Sequence, residues 1–198
     1  MEQMNMVLLG APGCGKGTQA QLIADKFGLD PVSTGELFRY EMSHHTIMGD
    51  KAHDIIEHGG LCPDSMTMEM LHNHIAKRPD SNGFIFDGVP RTVSQAEMLD
   101  KDELFRDLTI NMVVYLDVEM QEVEKRILNR ARQQNRTDDT PRTVKVRVDN
   151  FFKQTMPLVD YYRQQGKLFL IDGMHDVETV FADICSTIET YRNGLRGA

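Results

Sequence analysis

Short apolar runs alternate with longer amphipathic segments along most of the sequence. Four of these runs are predicted to be buried strands, at residues 6–9, 84–86, 112–116 and 168–171. The segments between them carry apolar residues at the three-to-four-residue spacing of a helix face. Strands that alternate with helices predict an α/β protein built around a parallel sheet.

The same pattern predicts seven helical stretches. They cover residues 17–27, 35–48, 64–76, 92–105, 120–132, 141–165 and 177–193. Thr140-Pro141 is typical of a helix start, because proline fits the first helical position. Pro157 interrupts the sixth stretch, and we expect it to kink or divide that helix since proline removes a backbone donor. We find no repeat or linker, and 198 residues predict a single domain over residues 1–198.

Composition and cysteine usage exclude several classes of protein. The first apolar run is too short for a signal peptide or a membrane span, and no basic segment precedes it. The cysteines Cys14, Cys62 and Cys185 are odd in number and form no CxxC pair, which argues against a disulfide framework and a cysteine zinc site. We therefore expect a cytoplasmic protein that contacts no membrane and binds no zinc.

Charge is distributed unevenly along the chain. The net charge of -8 disfavours a nucleic-acid partner, because binding to duplexes usually requires a basic face. Residues 125–147 nevertheless contain eight basic and two acidic side chains. A basic segment in an acidic protein favours binding of a small polyanion, although a solvated helix face is the ordinary alternative.

The glycine-rich segment GAPGCGKGTQ, at residues 10–19, is the strongest candidate for chemistry. It lies between a predicted strand and a predicted helix and nearly matches the phosphate-binding pattern GxxxxGK[ST]. Its glycines allow successive N–H groups to face one anion at the helix start, and Lys16 would reach the outer phosphates. Gly17 stands where a Ser or Thr would bind magnesium. The loop therefore predicts phosphate binding, either by a nucleotide triphosphatase that has lost this metal ligand or by an enzyme that holds its metal in another way.

Four further segments complete a resemblance to the nucleoside monophosphate kinases. They are STGELFR at 33–39, GLCPD at 60–64, GFIFDGVPRTVSQ at 83–95 and RTDD at 136–139. They resemble the family motifs STGDLLR, GxLVPD, GFxxDGFPRTxxQ and RxDD. The sequence departs from these motifs at Glu36, Cys62, Val89 and Asn135, where the family has Asp, Val, Phe and Gly. The resemblance implies a P-loop three-layer α/β fold with a helical AMP-binding subdomain at 33–62 and a short lid at 130–139 without zinc.

The resemblance also implies the roles of individual residues. Asp87 would hold Mg²⁺ through water, so that Gly17 is expected in this family. The implied catalytic residues are Lys16, Asp87, Arg91, Arg126, Arg130, Arg136 and Arg147. The implied ATP site comprises Gly13, Cys14, Gly15, Lys16, Gly17, Thr18, Arg126, Arg130 and His175. The implied AMP site comprises Thr34, Arg39, Gly60, Leu61, Cys62, Gly88, Val89, Pro90, Arg91, Gln95, Arg136 and Arg147. Arginines suit both sites because the planar guanidinium matches phosphate geometry.

The identity of the acceptor depends on two positions. Thr34 and Gln95 match the adenylate kinases, in which these residue types face the AMP base. Gln95 is equally explained as the third residue of a capping box that starts at Thr92. The resemblance implies a monomer that converts MgATP and AMP to two ADP. A UMP/CMP kinase and a regulatory protein that binds nucleotide without turnover remain the alternatives.

Overall fold

The computed structural model describes residues 3–133 and 140–196. In this part of the chain, five strands form one parallel sheet. The strands are β1 Asn5–Gly10, β2 Asp30–Ser33, β3 Phe84–Asp87, β4 Ile110–Asp117 and β5 Leu168–Asp172. Their order across the sheet is β2-β3-β1-β4-β5. The predicted α/β fold with a central parallel sheet is confirmed, and all carboxyl ends of the strands lie at one edge.

Helices connect the strands and cover the sheet. They are α1 Lys16–Phe27, α2 Thr34–Ser43, α3 Ile47–Glu57, α4 Asp64–Ile75, α5 Val93–Lys101, α6 Met120–Gln133, α7 Pro141–Asn150, α8 Pro157–Gln164 and α9 Val177–Arg196. A 3-10 turn at Glu103–Phe105 follows α5, and a π-helical turn at Phe151–Thr155 joins α7 to α8. Among the described residues, none of these helices is long and apolar enough to cross a bilayer.

Two separate apolar cores lie on the two faces of the sheet. Along β1, Met6 and Leu8 pack into the core that contains α1, α6 and α9. Val7 and Leu9 point the other way and pack into the core that contains α4, α5 and α8. Side chains alternate between the faces of a strand, so a continuous apolar run is what a sheet buried on both sides requires. The predicted three-layer architecture follows.

The second strand was missed by the sequence pattern. β2 has the sequence DPVS, which contains an acidic residue and a proline and no apolar alternation. Among the described residues it is an edge strand that pairs only with β3, so Pro31 lies where a strand tolerates a residue without a backbone donor. The burial of Val32 in the sheet core comes from tertiary packing.

The predicted helix at 35–48 is wrong in extent, because two helices occupy this region. α2 ends at Ser43, and Thr46 starts α3 by accepting a hydrogen bond from the Gly49 N–H at 3.0 Å. A Cβ atom on Gly49 would lie 2.2 Å from the Glu41 carbonyl oxygen. The two helices therefore pack at a distance that only glycine permits, and α3 continues to Glu57, beyond the predicted end.

Two other predicted helical stretches differ from the structure, one by ending early and one by being divided. The stretch at 92–105 stops at Lys101, because Asp102 adopts extended backbone and its side chain accepts from the Leu104 N–H to start the 3-10 turn. The stretch at 141–165 begins at Thr140-Pro141 as predicted. It is divided by the π-helical turn directly before Pro157, which confirms the expected break.

Candidate active site

A cleft opens at the carboxyl edge of the sheet, beside the neighbouring strands β1 and β3. The chain leaves β1 toward α1 on one face and leaves β3 toward α5 on the other, so the two loops diverge. Such a divergence leaves a crevice outside the strand ends, where α/β proteins bind ligands. The cleft has a volume of about 1010 Å³. Loops after β1, β3 and β5 line it together with α7 and the π-helical turn.

The loop after β1 has the backbone of a phosphate-binding loop. Gly13 and Gly15 have φ values of +81° and +108°, which residues with a Cβ rarely adopt. A Cβ on Gly13 would also lie 2.5 Å from Cγ1 of Ile127 on α6. Eight residues of the predicted ATP site line the cleft. They are Gly13, Cys14, Gly15, Lys16, Gly17, Thr18, Arg126 and His175.

Lys16 at the start of α1 folds back over this loop. Its Nζ donates to the carbonyl oxygens of Gly10 at 2.8 Å and Ala11 at 2.9 Å, and it lies 3.6 Å from Sγ of Cys14. An ammonium group has three donors, so all three are directed at atoms of the loop. The charge is therefore held in place at the cleft by backbone that the glycines shape.

Asp87 ends β3 directly opposite the start of α1. A Cβ built on Gly17 would lie 3.6 Å from Oδ2 of Asp87, and apart from its chain neighbours and the backbone of α1 no other heavy atom of the described residues comes within 4 Å of it. A serine or threonine at position 17 would thus place its hydroxyl beside this carboxylate. The carboxylate of Asp87 therefore lies beside the position that a Ser or Thr hydroxyl would occupy. Carboxylate oxygen is a ligand type that Mg²⁺ prefers.

Arg126 on α6 connects three segments around the cleft. Its Nε donates to Oε1 of Glu122 at 2.9 Å, and its Nη1 donates to the carbonyl oxygens of Gly173 at 3.0 Å and Cys14 at 3.5 Å. The hydrogen bond from Arg126 holds the pKa of Glu122 below its usual value. His175 lies in the same loop after β5, and its Nε2 is 3.4 Å from Oδ2 of Asp172.

A smaller side pocket of about 80 Å³ lies beside the cleft. Nine residues of the predicted AMP site line it. They are Thr34, Arg39, Gly60, Leu61, Cys62, Gly88, Arg91, Gln95 and Arg147. Arg39, Arg91 and Arg147 line the cleft as well, so they lie at the junction of the two spaces. Of the other predicted residues, Pro90 lines the cleft and Val89 is fully buried in the sheet core.

Both ends of the Gln95 side-chain amide in the side pocket form hydrogen bonds with the protein. Its Nε2 donates to Oδ1 of Asp64 at 2.8 Å, and its Oε1 accepts from the Arg91 N–H at 2.7 Å. Its own N–H donates to Oγ1 of Thr92 at 3.1 Å. Only that half of the capping box forms, because the Gln95 side chain bonds to Arg91 and Asp64 and does not accept from the Thr92 N–H.

The structure adds residues that the sequence did not single out for the site. Asp64 lies within the quoted GLCPD motif, yet its contact with Gln95 spans 31 positions and had no signal in the pattern. Thr155 donates its hydroxyl to the Arg91 carbonyl oxygen at 2.9 Å and lines the cleft. Gln19 on α1 lines the cleft and donates from Nε2 to the Val177 carbonyl oxygen at 3.0 Å.

The predicted lid at 130–139 falls mostly outside the described residues. α6 ends at Gln133, and residues 134–139, including Arg136, are not described. The side chain of Arg130 also lies outside the description. The roles assigned to Arg130, Arg136 and the lid therefore stay predictions.

Comparison with known proteins supports the same assignment as the geometry. A family model described as adenylate kinase matches residues 8–167. An adenylate kinase of Parabacteroides distasonis is 41% identical over 189 residues, which cover 96% of this chain and 100% of that protein. An adenylate kinase of Oenococcus oeni is 42% identical over 182 residues, covering 91% and 95%, and one of Bacteroides fragilis is 38% identical over 187 residues, covering 94% and 99%. The chain therefore belongs to the adenylate kinase family and is a phosphotransferase of the nucleoside monophosphate kinase type.

Proposed function

We propose that this chain transfers the γ-phosphoryl group of MgATP to AMP and forms two molecules of ADP. The proposal rests on the three arginines that lie where the cleft meets the side pocket. Arg39, Arg91 and Arg147 line both the cleft with the phosphate-binding loop and the side pocket. Two phosphate groups bound from opposite sides would meet at these guanidinium groups, which is where a phosphoryl transfer needs positive charge.

On the donor side, Lys16 and Arg126 would bind the phosphates of ATP. The weakest of the three Lys16 contacts is the one to Cys14 Sγ at 3.6 Å, because sulfur is a poor acceptor. We infer that a phosphate oxygen replaces this contact while the carbonyl oxygens of Gly10 and Ala11 keep the ammonium in place. The charge would then need little reorganisation as negative charge develops on the transferring group.

The residues around Gly17 offer Mg²⁺ one oxygen ligand group, the carboxylate of Asp87. The carboxylate of Asp87 faces the space that a side chain at position 17 would fill, and it would hold the hydrated ion there. The ion supplies neutralisation of charge on the phosphate oxygens. Asp87 would hold the ion through water, and the phosphates of the nucleotide would supply its remaining ligands.

On the acceptor side, no general base is required. The phosphate of a nucleoside monophosphate has a second pKa of about 6, so its attacking oxygen is already deprotonated near neutral pH. The protein therefore needs to position the acceptor and exclude water. Thr34 and Gln95 would hold the base in the side pocket, and the three junction arginines would hold the phosphate.

A coupled assay that follows ADP formation from ATP and AMP tests the proposal. We expect turnover that requires magnesium, and we expect kcat/KM for AMP to exceed that for UMP and CMP by at least ~10²-fold, because a pocket that hydrogen-bonds one base leaves polar groups unpaired with another. No ADP formation with AMP would refute the proposed reaction. Equal use of CMP would assign the chain to the UMP/CMP kinases.

We also propose that the chain works in the cytoplasm as a monomer. Its three cysteines are free and buried, which suits a reducing compartment. Size-exclusion chromatography with light scattering tests the oligomeric state, and a mass of twice 22.6 kDa would contradict it.

A further inference from the structure

The side-chain amide of Gln95 is held in one orientation by two neighbours of opposite polarity. A carboxylate oxygen of Asp64 accepts from its Nε2, and the backbone N–H of Arg91 donates to its Oε1. Rotating the amide by 180° would place Oε1 against the carboxylate and Nε2 against the N–H. Gln95 is only 2% exposed, so water could not compensate for either mismatch.

Both neighbours are themselves fixed. Oδ2 of Asp64 accepts from Oγ1 of Thr92 at 3.1 Å, and that hydroxyl oxygen accepts from the Gln95 N–H. These bonds close a ring that joins the first residue of α4 to the N-cap of α5. On the other side, the Arg91 carbonyl oxygen accepts from Thr155 of the π-helical turn. The orientation of the Gln95 amide is therefore set by contacts that come from several separate segments.

Gln95 and Thr34 leave a defined set of donors and acceptors free to bind a ligand in the side pocket. Gln95 keeps one N–H of Nε2 and one lone pair of Oε1. Thr34 donates its hydroxyl hydrogen to the Gly88 carbonyl oxygen at 2.9 Å, so its Oγ1 can only accept from a ligand. Both residues line the pocket and are 2% exposed.

Adenine has a donor and an acceptor where Gln95 offers an acceptor and a donor. In hypoxanthine the donor and the acceptor are exchanged. Adenine carries an amino donor at position 6 and an acceptor at N1, which pair with the oxygen and the N–H of a glutamine amide. Hypoxanthine has the same ring shape but carries an oxygen acceptor at position 6 and an N–H donor at N1. IMP would therefore pair with Gln95 only after the amide had turned.

We propose that Asp64 is the positioning residue that makes this enzyme select a 6-amino purine monophosphate over a 6-oxo one. Asp64 acts through Gln95 and does not itself touch the nucleotide. The inference rests on the proposed function, in which AMP occupies the side pocket, and adds a residue that determines specificity. The shape of the pocket cannot make this selection, because the two bases have the same outline.

Substitution of Asp64 by asparagine should weaken the selection. An asparagine amide has nearly the same size and can turn, so it can donate to Oε1 as readily as it can accept from Nε2. Only the Arg91 N–H would then oppose rotation of Gln95. We expect wild type to prefer AMP over IMP in kcat/KM by at least ~10²-fold and Asp64→Asn to lower that ratio by about tenfold. The change should appear in KM more than in kcat, because the phosphates and their arginines are untouched.

The experiment measures kcat and KM for AMP and IMP on the same preparations of wild type, Asp64→Asn and Glu69→Gln. Glu69 is an exposed carboxylate on the same helix, so its conversion to an amide is the matched control and should leave the AMP to IMP ratio unchanged. The ratio cancels any difference in the amount of folded enzyme. If Asp64→Asn loses activity, calorimetric Kd values for AMP and IMP without ATP give the same ratio.

The outcomes separate this inference from the proposed function. A fall of the AMP to IMP ratio in Asp64→Asn alone supports the inference. Equal losses for AMP and IMP mean that Asp64 is only structural and overturn it, as does a wild-type enzyme that uses AMP and IMP alike. A wild-type enzyme that phosphorylates IMP or another monophosphate but not AMP refutes the proposed function instead.

Discussion

The phosphate-binding loop at residues 10–17 and the side pocket hold their polar groups in opposite ways. In the loop, glycines set the backbone, and the one charged side chain, Lys16, donates to two backbone carbonyl oxygens. In the side pocket, Thr34 and Gln95 present side-chain polar atoms, and Gln95 is oriented by the Asp64 carboxylate together with the Arg91 N–H. Every nucleotide carries phosphates, so backbone donors and a fixed charge suffice for them. A base is distinguished by its donors and acceptors, which require oriented side chains.

This difference predicts that damage to the loop lowers turnover, whereas damage to the side pocket alters the choice of acceptor. The largest effect is expected for Lys16→Met. Loss of the ammonium removes a charge that would stabilise the transferring phosphoryl group, and kcat should fall by about 10³-fold or more while the fold remains intact. Steady-state kinetics and circular dichroism measure both quantities. Lys101→Met, on the exposed face of α5, is the control, and a kcat within tenfold of wild type would contradict the role of Lys16.

Asp87→Asn should have the next largest effect. The substitution keeps the shape of the side chain but removes the anionic anchor for hydrated Mg²⁺, so kcat/KM for MgATP should fall by about 10- to 100-fold. KM for AMP should remain within about twofold, because the side pocket is separate from this carboxylate. Magnesium titrations of activity provide the measurement. Asp117→Asn is the control, since Asp117 ends β4 at the same edge of the sheet without lining the cleft. Coincident titration curves for Asp87→Asn and wild type would leave Asp87 with a structural role only.

Gly13→Ala should disturb the loop through its backbone. The new Cβ would meet Cγ1 of Ile127 at 2.5 Å and would also require φ near +81°. We expect a loss of about 2–4 kcal/mol of unfolding free energy from strain and overpacking together. Activity should fall by about tenfold because the loop shifts relative to the donor phosphates.

Gly166→Ala is the matched control for this prediction. Gly166 has φ of +68° and open space around its Cβ position, so this substitution adds backbone strain without a clash. Urea unfolding of both variants should show the larger loss in Gly13→Ala, and only that variant should lose activity. Equal losses of stability would mean that the contact with Ile127 relaxes without cost.

The smallest effect is expected for Glu122→Gln. Without the carboxylate, Arg126 keeps its bonds to the Gly173 and Cys14 carbonyl oxygens, so KM for ATP should rise only about threefold.

The same variant should alter the pH dependence of stability. Because the folded-state pKa of Glu122 is lowered, the ion pair stabilises the fold above the ordinary glutamate pKa of about 4.3, and this stabilisation is lost as the pH falls through the lowered pKa. The Tm of wild type should therefore exceed that of the variant at pH 7, and the two should converge as the pH falls below the lowered pKa of Glu122. A Tm difference that does not shrink at all as the pH is lowered into the acid range would contradict this account.

Local sequence predicted the elements whose signals lie within a few residues. The apolar run of β1, the glycines of the loop and the proline that divides α7 from α8 act on the backbone directly, so each was found where the structure has it. β2 and the boundary between α2 and α3 had weaker local signals. Val32 is buried because it packs into the core on one face of the sheet. Position 49 needs glycine because a Cβ there would clash with the Glu41 carbonyl oxygen of the neighbouring helix.

The sequence by itself also predicted the glycine-rich loop and, through the family motifs, many of the residues that line the two spaces. Only the tertiary structure decided how the side-chain amide of Gln95 is oriented. From the sequence, Gln95 could contact a base or cap a helix, because a side-chain amide can face either way. The fold brings Asp64 and the Arg91 N–H to its two ends, and these contacts fix which atom donates and which accepts. The Arg91 N–H is only four residues away, but Asp64 is 31 positions away, and no local pattern carries the information that these two groups meet at Gln95.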